Sequence, residues 1–182
     1  MMKKNLIYLA AAIAFAGAGA WYGIHTKQAP NPVTATAPAG VTGPVAAMLK
    51  ESLPNDKGVK EALSKWQGKN LLVNFWAPWC APCVEEMPEL SELQNSELGK
   101  KVQVIGIGID SPSNIAEFTQ KVKVAYPIYV AGMSGTELAR QFGNNSGGLP
   151  FTVLIGADGT VKKTYLARLK FEDLKADLAN LN

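Results

Sequence analysis

Two cysteines, Cys80 and Cys83, are the only ones in the chain, and two residues, Ala81 and Pro82, separate them. Cys-x-x-Cys is the spacing of a redox dithiol when the first sulfur stands at the start of a helix that follows a strand. Asn74–Pro88 reads NFWAPWCAPCVEEMP. Its apolar beginning predicts a strand and its continuation predicts a helix opening at about Cys80. At that position the sulfur faces unpaired backbone N–H groups and the positive end of the helix dipole, which favour thiolate over thiol. Pro82 suits the first helical turn, where its missing N–H has no partner to lose. Cys80 is expected to attack a disulfide and form a mixed disulfide, and Cys83, one turn on, to resolve it. The plainer reading is a stabilising cross-link, but such a bridge closes too small a ring to gain much chain entropy.

The remaining composition narrows the chemistry. The single histidine, His25, lies at the edge of an apolar N-terminal segment. The folded part therefore has no imidazole for Ser-His or Cys-His catalysis, and two cysteines do not complete a zinc site. No metal or other cofactor is expected. From residue 45 onward the chain holds 13 Lys, 2 Arg and 15 Asp plus Glu, a net charge of zero. A neutral domain lacks the electrostatic footprint of a nucleic-acid binder.

Several elements must position the cysteines. Asn70–Trp76 is an apolar run of the kind found in a central strand covered on both faces. The helix from about Cys80 should reach about Leu98. Val102–Ile109 predicts a second buried strand, and Ser113–Lys121 a helix capped by Ser111 or Ser113. Tyr126–Val130 predicts a short strand and Ser134–Phe142 a helix stopped by Gly143. Phe151–Ile155 and Thr160–Leu166 form a hairpin about Ala157-Asp158-Gly159. Phe171–Leu181 closes the chain as an amphipathic helix with Leu174, Leu178 and Leu181 on one face. Ahead of these, Val45–Leu53 reads as a weak strand, Pro54–Gly58 as a turn, and Val59–Gly68 as a strand or short helix.

The N-terminus has its own pattern. Lys3 and Lys4 precede Leu6–Ile24, 19 residues without a charge, with Trp21 and Tyr22 near the far end. That fits a membrane anchor with its N-terminus in the cytoplasm. It also fits a cleaved signal peptide ending at Ala18-Gly19-Ala20. Either reading exports the domain. Residues 27–44 are rich in Pro, Thr, Ala and Gly and read as a tether. The expected organisation is an anchor or signal over 1–26, a linker over 27–44 and one domain over 45–182.

The motifs Val73–Ala77, Trp79–Cys83, Glu86-x-Pro88 and the distant Gly148-Leu149-Pro150 closely resemble those of the thioredoxin superfamily. Within it the chain is similar to the membrane-anchored branch typified by TlpA, ResA and CcmG. The resemblance implies an α/β thioredoxin-like fold: a central mixed β-sheet flanked by helices, with the branch's extra strand–helix insertion around 113–142. It implies that Pro150 is cis and faces the dithiol, that the backbone of Leu149 pairs with an extended client segment, and that Trp79 packs beside the site and limits access. It also implies that Trp76 gives partly buried support, that Pro88 kinks the helix, and that Ala167 fills a small-residue position near the last helix. Thioredoxin has a buried aspartate where this chain has Asn74. The branch supplies a glutamate instead, matching Glu86, which is three residues from Cys83 and on its side of the helix. Glu85 points elsewhere and is expected in solvent. The activity implied is electron transfer to oxidised protein thiols on the periplasmic side of the bacterial inner membrane, as in cytochrome c maturation, with a membrane electron donor or acceptor as second partner. The rival readings are a copper-site assembly factor, a peroxidase and a non-catalytic chaperone. The first wants a histidine in the domain, and the second a lone peroxidatic cysteine. The third is separated from the enzyme by the effect of Cys80→Ser.

Overall fold

The computed structural model describes residues 41–181. The apolar run 6–24 and most of the tether lie outside them. Among the described residues, no helix is long and apolar enough to cross a membrane.

The central run folds as strand β3, Leu71–Trp76, with every residue buried. A strand covered on both faces must be apolar on both, and this one is, apart from Asn74. It pairs parallel with β4, Gln103–Gly108, and antiparallel with β6, Phe151–Ile155. Strand β5, Ile128–Val130, and strand β7, Val161–Leu166, complete a mixed sheet of order β5-β4-β3-β6-β7. A separate two-stranded ribbon, β1 (Ser52–Pro54) and β2 (Lys60–Ala62), comes first, and Asn55 bridges from it to Tyr129 at the β5 edge.

Strand alternation sorts the apolar side chains into two layers. Val73, Phe75, Ile105, Ile107, Phe151 and Val153 face helices α1 (Gly43–Lys50) and α4 (Ser134–Gln141). Leu72, Trp76, Val104, Ile128 and Leu154 face helices α2 (Ala81–Asn95), α3 (Pro112–Lys121) and α5 (Phe171–Ala179). Caps and stops follow the sequence. The Ser111 hydroxyl accepts from the N–H of Asn114 at 3.2 Å, and Gly143 follows α4 with φ +99°.

Two expectations change. Val45–Leu53 is not a strand: Gly43–Lys50 is helical, with Pro44 in its first turn, and Val45, Met48 and Leu49 are buried at helical spacing. The helix thus takes up Gly43 and Pro44, which had been read as tether. Val59–Gly68 is neither one strand nor one helix but both in turn, β2 followed by a 3-10 turn over Leu63–Trp66.

Candidate active site

Strand β3 ends at Trp76, and residues 77–80 turn into α2, with the N–H of Cys80 donating to the Ala77 carbonyl at 3.1 Å. Cys80 is the residue that caps α2, and its carbonyl accepts from the N–H groups of Cys83 and Val84. Pro82 sits in the first turn, as its missing donor allows. The two cysteines form a disulfide with a Cα–Cα distance of 5.3 Å. Cys80 retains 6% of its surface and Cys83 none. Ala81 and Pro82 are exposed.

The β3–β6 register places Phe75 opposite Phe151, so Pro150 lies at the sheet end where the cysteine turn begins. The Leu149–Pro150 bond is cis. Pro150 is buried and Leu149 half-buried against the apolar layer that contains both cysteines. The preceding loop is held by Asn144, which is buried. Its side-chain amide donates to the Gly148 carbonyl at 2.9 Å, and its Oδ1 accepts from the Ser146 hydroxyl. Sequence reasoning missed this residue, because an Asn after a helix-stopping glycine carries no local sign of a tertiary task.

A groove of about 430 Å³ is bounded by Trp79 of the cysteine turn and by Leu149 ahead of Pro150, with Ile109, Pro112 and Met133 among its other walls. Trp79, next to Cys80, is 69% exposed and forms a rim of the groove. Trp76 is fully buried rather than partly buried, and packs against Phe118 with ring centroids 5.0 Å apart and planes tilted by 49°. Pro88 lies inside α2, as its sequence position implies.

Beneath the cysteine turn is a polar group in an otherwise apolar layer. Asn74, Thr152 and Glu86 are all fully buried. The Asn74 amide donates to Glu86 Oε1 at 2.7 Å and to Thr152 Oγ1 at 3.0 Å. Glu86 Oε2 accepts from the backbone N–H of Leu169 at 2.9 Å. Burial pushes the Glu86 carboxyl up from an ordinary 4.5 to about 7, against the pull of these two donors and of Arg168. Tyr126 is pushed up as well, by burial first and by the charge of Glu86 second. Asn74 Oδ1, Trp76 Nε1 and Tyr126 Oη have no hydrogen-bond partner among the described residues. Glu85 is exposed, as expected, and accepts from Arg168.

Residues 32–178 match the family model described as Redoxin. The chain belongs to the Redoxin family. Thiol-disulfide oxidoreductase ResA of Geobacillus thermodenitrificans is 29% identical over 126 residues, which cover 69% of this chain and 70% of that one. Among solved structures, a thioredoxin-related protein from Neisseria meningitidis serogroup B is 29% identical with a TM-score of 0.59, covering 67% of this chain and 91% of that one. The dsbF structure of Mycobacterium tuberculosis, at 24% identity, shares the fold with a TM-score of 0.62 over 75% of this chain and 98% of that one. This Redoxin chain has the thioredoxin-superfamily architecture of the ResA- and CcmG-like kind, with its Cys-x-x-Cys pair at disulfide distance.

Proposed function

We propose that this thiol–disulfide oxidoreductase reduces protein disulfides on the outer side of a bacterial inner membrane, where residues 1–26 export or anchor it and 27–42 tether the domain that follows. The observation that carries the reading is the helix-capping Cys80–Cys83 pair above a buried carboxyl whose proton affinity lies near neutrality.

Cys80, the sulfur with exposed surface, attacks one sulfur of a client disulfide as thiolate. The client S–S bond breaks, the Cys80–client bond forms and one client thiolate leaves. Cys83 then attacks the Cys80 sulfur, the mixed disulfide breaks, and the second client thiolate leaves. The client gains two electrons and Cys80–Cys83 is oxidised. Glu86 takes the proton that Cys83 gives up, in the role that the neutral amide of Asn74 does not fill. A carboxyl tuned near 7 both accepts and returns a proton at neutral pH. The backbone of Leu149 beside Pro150 pairs with an extended client segment, as in strand addition, and Trp79 forms the rim against which the client lies. A membrane electron donor returns the pair to the dithiol. Membership of this kind of oxidoreductase and the name of the Geobacillus relative, a thiol-disulfide oxidoreductase, support thiol–disulfide exchange with protein clients, for which cytochrome c maturation is the setting we propose.

Acid trapping of the Cys80–Cys83 redox state in intact cells tests the direction. A mainly reduced pair supports the reductant, and a mainly oxidised pair overturns it. Fractionation tests the location: a mature N-terminus at Trp21 in the soluble fraction replaces the anchor with a cleaved signal.

A further inference from the structure

Resting on the reading of Glu86 as proton acceptor, we infer that Arg168 is its positioning residue, and that Ala167–Leu169 is a strap tying the buried carboxyl to the backbone of Pro150. The strap links β7 to α5. Its first residue donates its N–H to the Pro150 carbonyl at 3.0 Å, and its last donates to Glu86 Oε2 at 2.9 Å. Both ends therefore hold a residue that the mechanism uses. Between them Arg168 reaches outward across α2 and donates to Glu85 Oε2 at 3.2 Å and Glu89 Oε1 at 2.7 Å. These are the residues one before and three after Glu86 on the same helix, so the guanidinium spans the turn that carries the buried carboxyl.

The backbone shows that this grip is imposed. Ala167 has φ +79° and is the one non-glycine residue with a positive φ among the described residues. An L-residue takes that conformation when its surroundings over-determine it. Here the N–H groups of residues two apart must reach partners on two different elements, and the reversal at Ala167 lets them do so.

A purely mechanical role for Arg168 is poorly supported. Its side chain is 47% exposed, and surface ion pairs contribute little to stability. Its charge matters more for what it faces. Around Glu86 stand Glu85 and Glu89 on the same helix, Cys83 one turn before, Tyr126 from the segment ahead of β5, and the neutral amide of Asn74 on β3. Arg168 is the one cation in this set, and it offsets two neighbouring carboxylates while favouring the ionised form of Glu86. The strap thus pulls the proton affinity of Glu86 down against the upward push of burial, through the Leu169 N–H and the Arg168 charge. Because the same strap is bonded to Pro150, a client pairing along Leu149–Pro150 bears directly on the backbone that holds Glu86.

The experiment follows the protonated-carboxyl infrared band of the reduced full-length protein against pH, with Glu86→Gln assigning the band. Arg168→Gln is expected to raise the Glu86 midpoint by several tenths of a pH unit. Arg168→Lys should recover most of that shift. Molar salt should move the wild type towards the Arg168→Gln midpoint and leave that variant nearly unmoved. A loss of packing alone produces neither the lysine rescue nor the salt response. Coincident midpoints for wild type and Arg168→Gln, or a lysine variant indistinguishable from the glutamine one, overturn the inference. Cysteine alkylation against pH separates the two readings. If Glu86→Gln leaves that profile unmoved, the proton-acceptor role falls, whereas the strap is still judged by the infrared midpoint.

Discussion

Two glutamates at opposite sides of the sheet meet opposite fates. Glu61, on β2, lies at the edge of the α1–α4 layer and collects donors: Lys65, Asn55 at 2.8 Å and Tyr129 at 3.1 Å. The Lys65 bond, then that of Asn55, holds its carboxyl below the usual range. Tyr129 in turn accepts from Trp66 Nε1 at 3.0 Å, and Lys65 sits over the Trp66 ring. Glu86, in the other layer, has no exposed surface and two neutral donors, and Arg168, the cation that acts on it, lies on the outside of the helix, paired with Glu89. Its carboxyl is pushed up. The difference lies in what compensates for lost water. A partly exposed carboxylate given an ammonium, an amide and a hydroxyl donor stays charged and clamps an edge, while a fully buried one given two neutral donors becomes a group that exchanges its proton near neutrality.

Several variants would break or sharpen that contrast. The largest effect is expected from Cys80→Ser, which should abolish disulfide exchange, while Cys83→Ser should accumulate the mixed disulfide. Residual turnover in Cys80→Ser, read by insulin reduction, would remove the redox role from this side of the sheet. Glu86→Gln is expected next. A carboxyl with a raised folded-state pKa contributes stability below its ordinary value of 4.5 that is lost as the pH rises through about 7. Against Glu86→Gln, the oxidised wild type should therefore lose up to roughly 3 kcal/mol across that window. Glu61→Gln should show the reverse sign and a smaller size, because a lowered carboxyl contributes stability above its ordinary value and loses it as the pH falls. Urea unfolding at a series of pH values reads both, and parallel slopes would erase the contrast.

Tyr129→Phe should cost about 1–2 kcal/mol, since it removes the Trp66 acceptor and one donor to Glu61. Its exchange activity should equal that of the wild type, and a loss would tie the edge clamp to the chemistry. The smallest change in stability belongs to Trp79→Ala, within about 0.5 kcal/mol for so exposed a side chain. That variant should slow reduction of a protein disulfide more than that of a small one. Equal slowing would deny Trp79 a place in client binding.

The catalytic half of the molecule was legible because its signals are local. The apolar run of β3, the cysteine spacing, Pro82 in a first turn and the i, i+3 placement of Glu86 can all be read within the 17 residues Asn70–Glu86. What escaped depends on residues far apart in the chain. Leu169 and Arg168 reach α2 from 83 and 79 positions away, through Glu86 and Glu89 respectively, and nothing in Ala167-Arg168-Leu169 marks a grip. Ala167 had been expected to fill a small-residue position, but its φ is visible only in the fold. The first helix was misread for a different reason. Eight residues are too few for periodicity to separate helix from strand, and burial against the sheet decides the matter.

Cys83 has no exposed surface, and Cys80 has a little. In the oxidised form a bulky partner can therefore address the bridge from one end alone, so its two sulfurs, alike in composition, are ordered by reach. A mixed adduct made through that end leaves the inner sulfur shielded from any second macromolecule and open only to its neighbour three residues away. The protein thus sets the sequence of the two exchanges by occlusion.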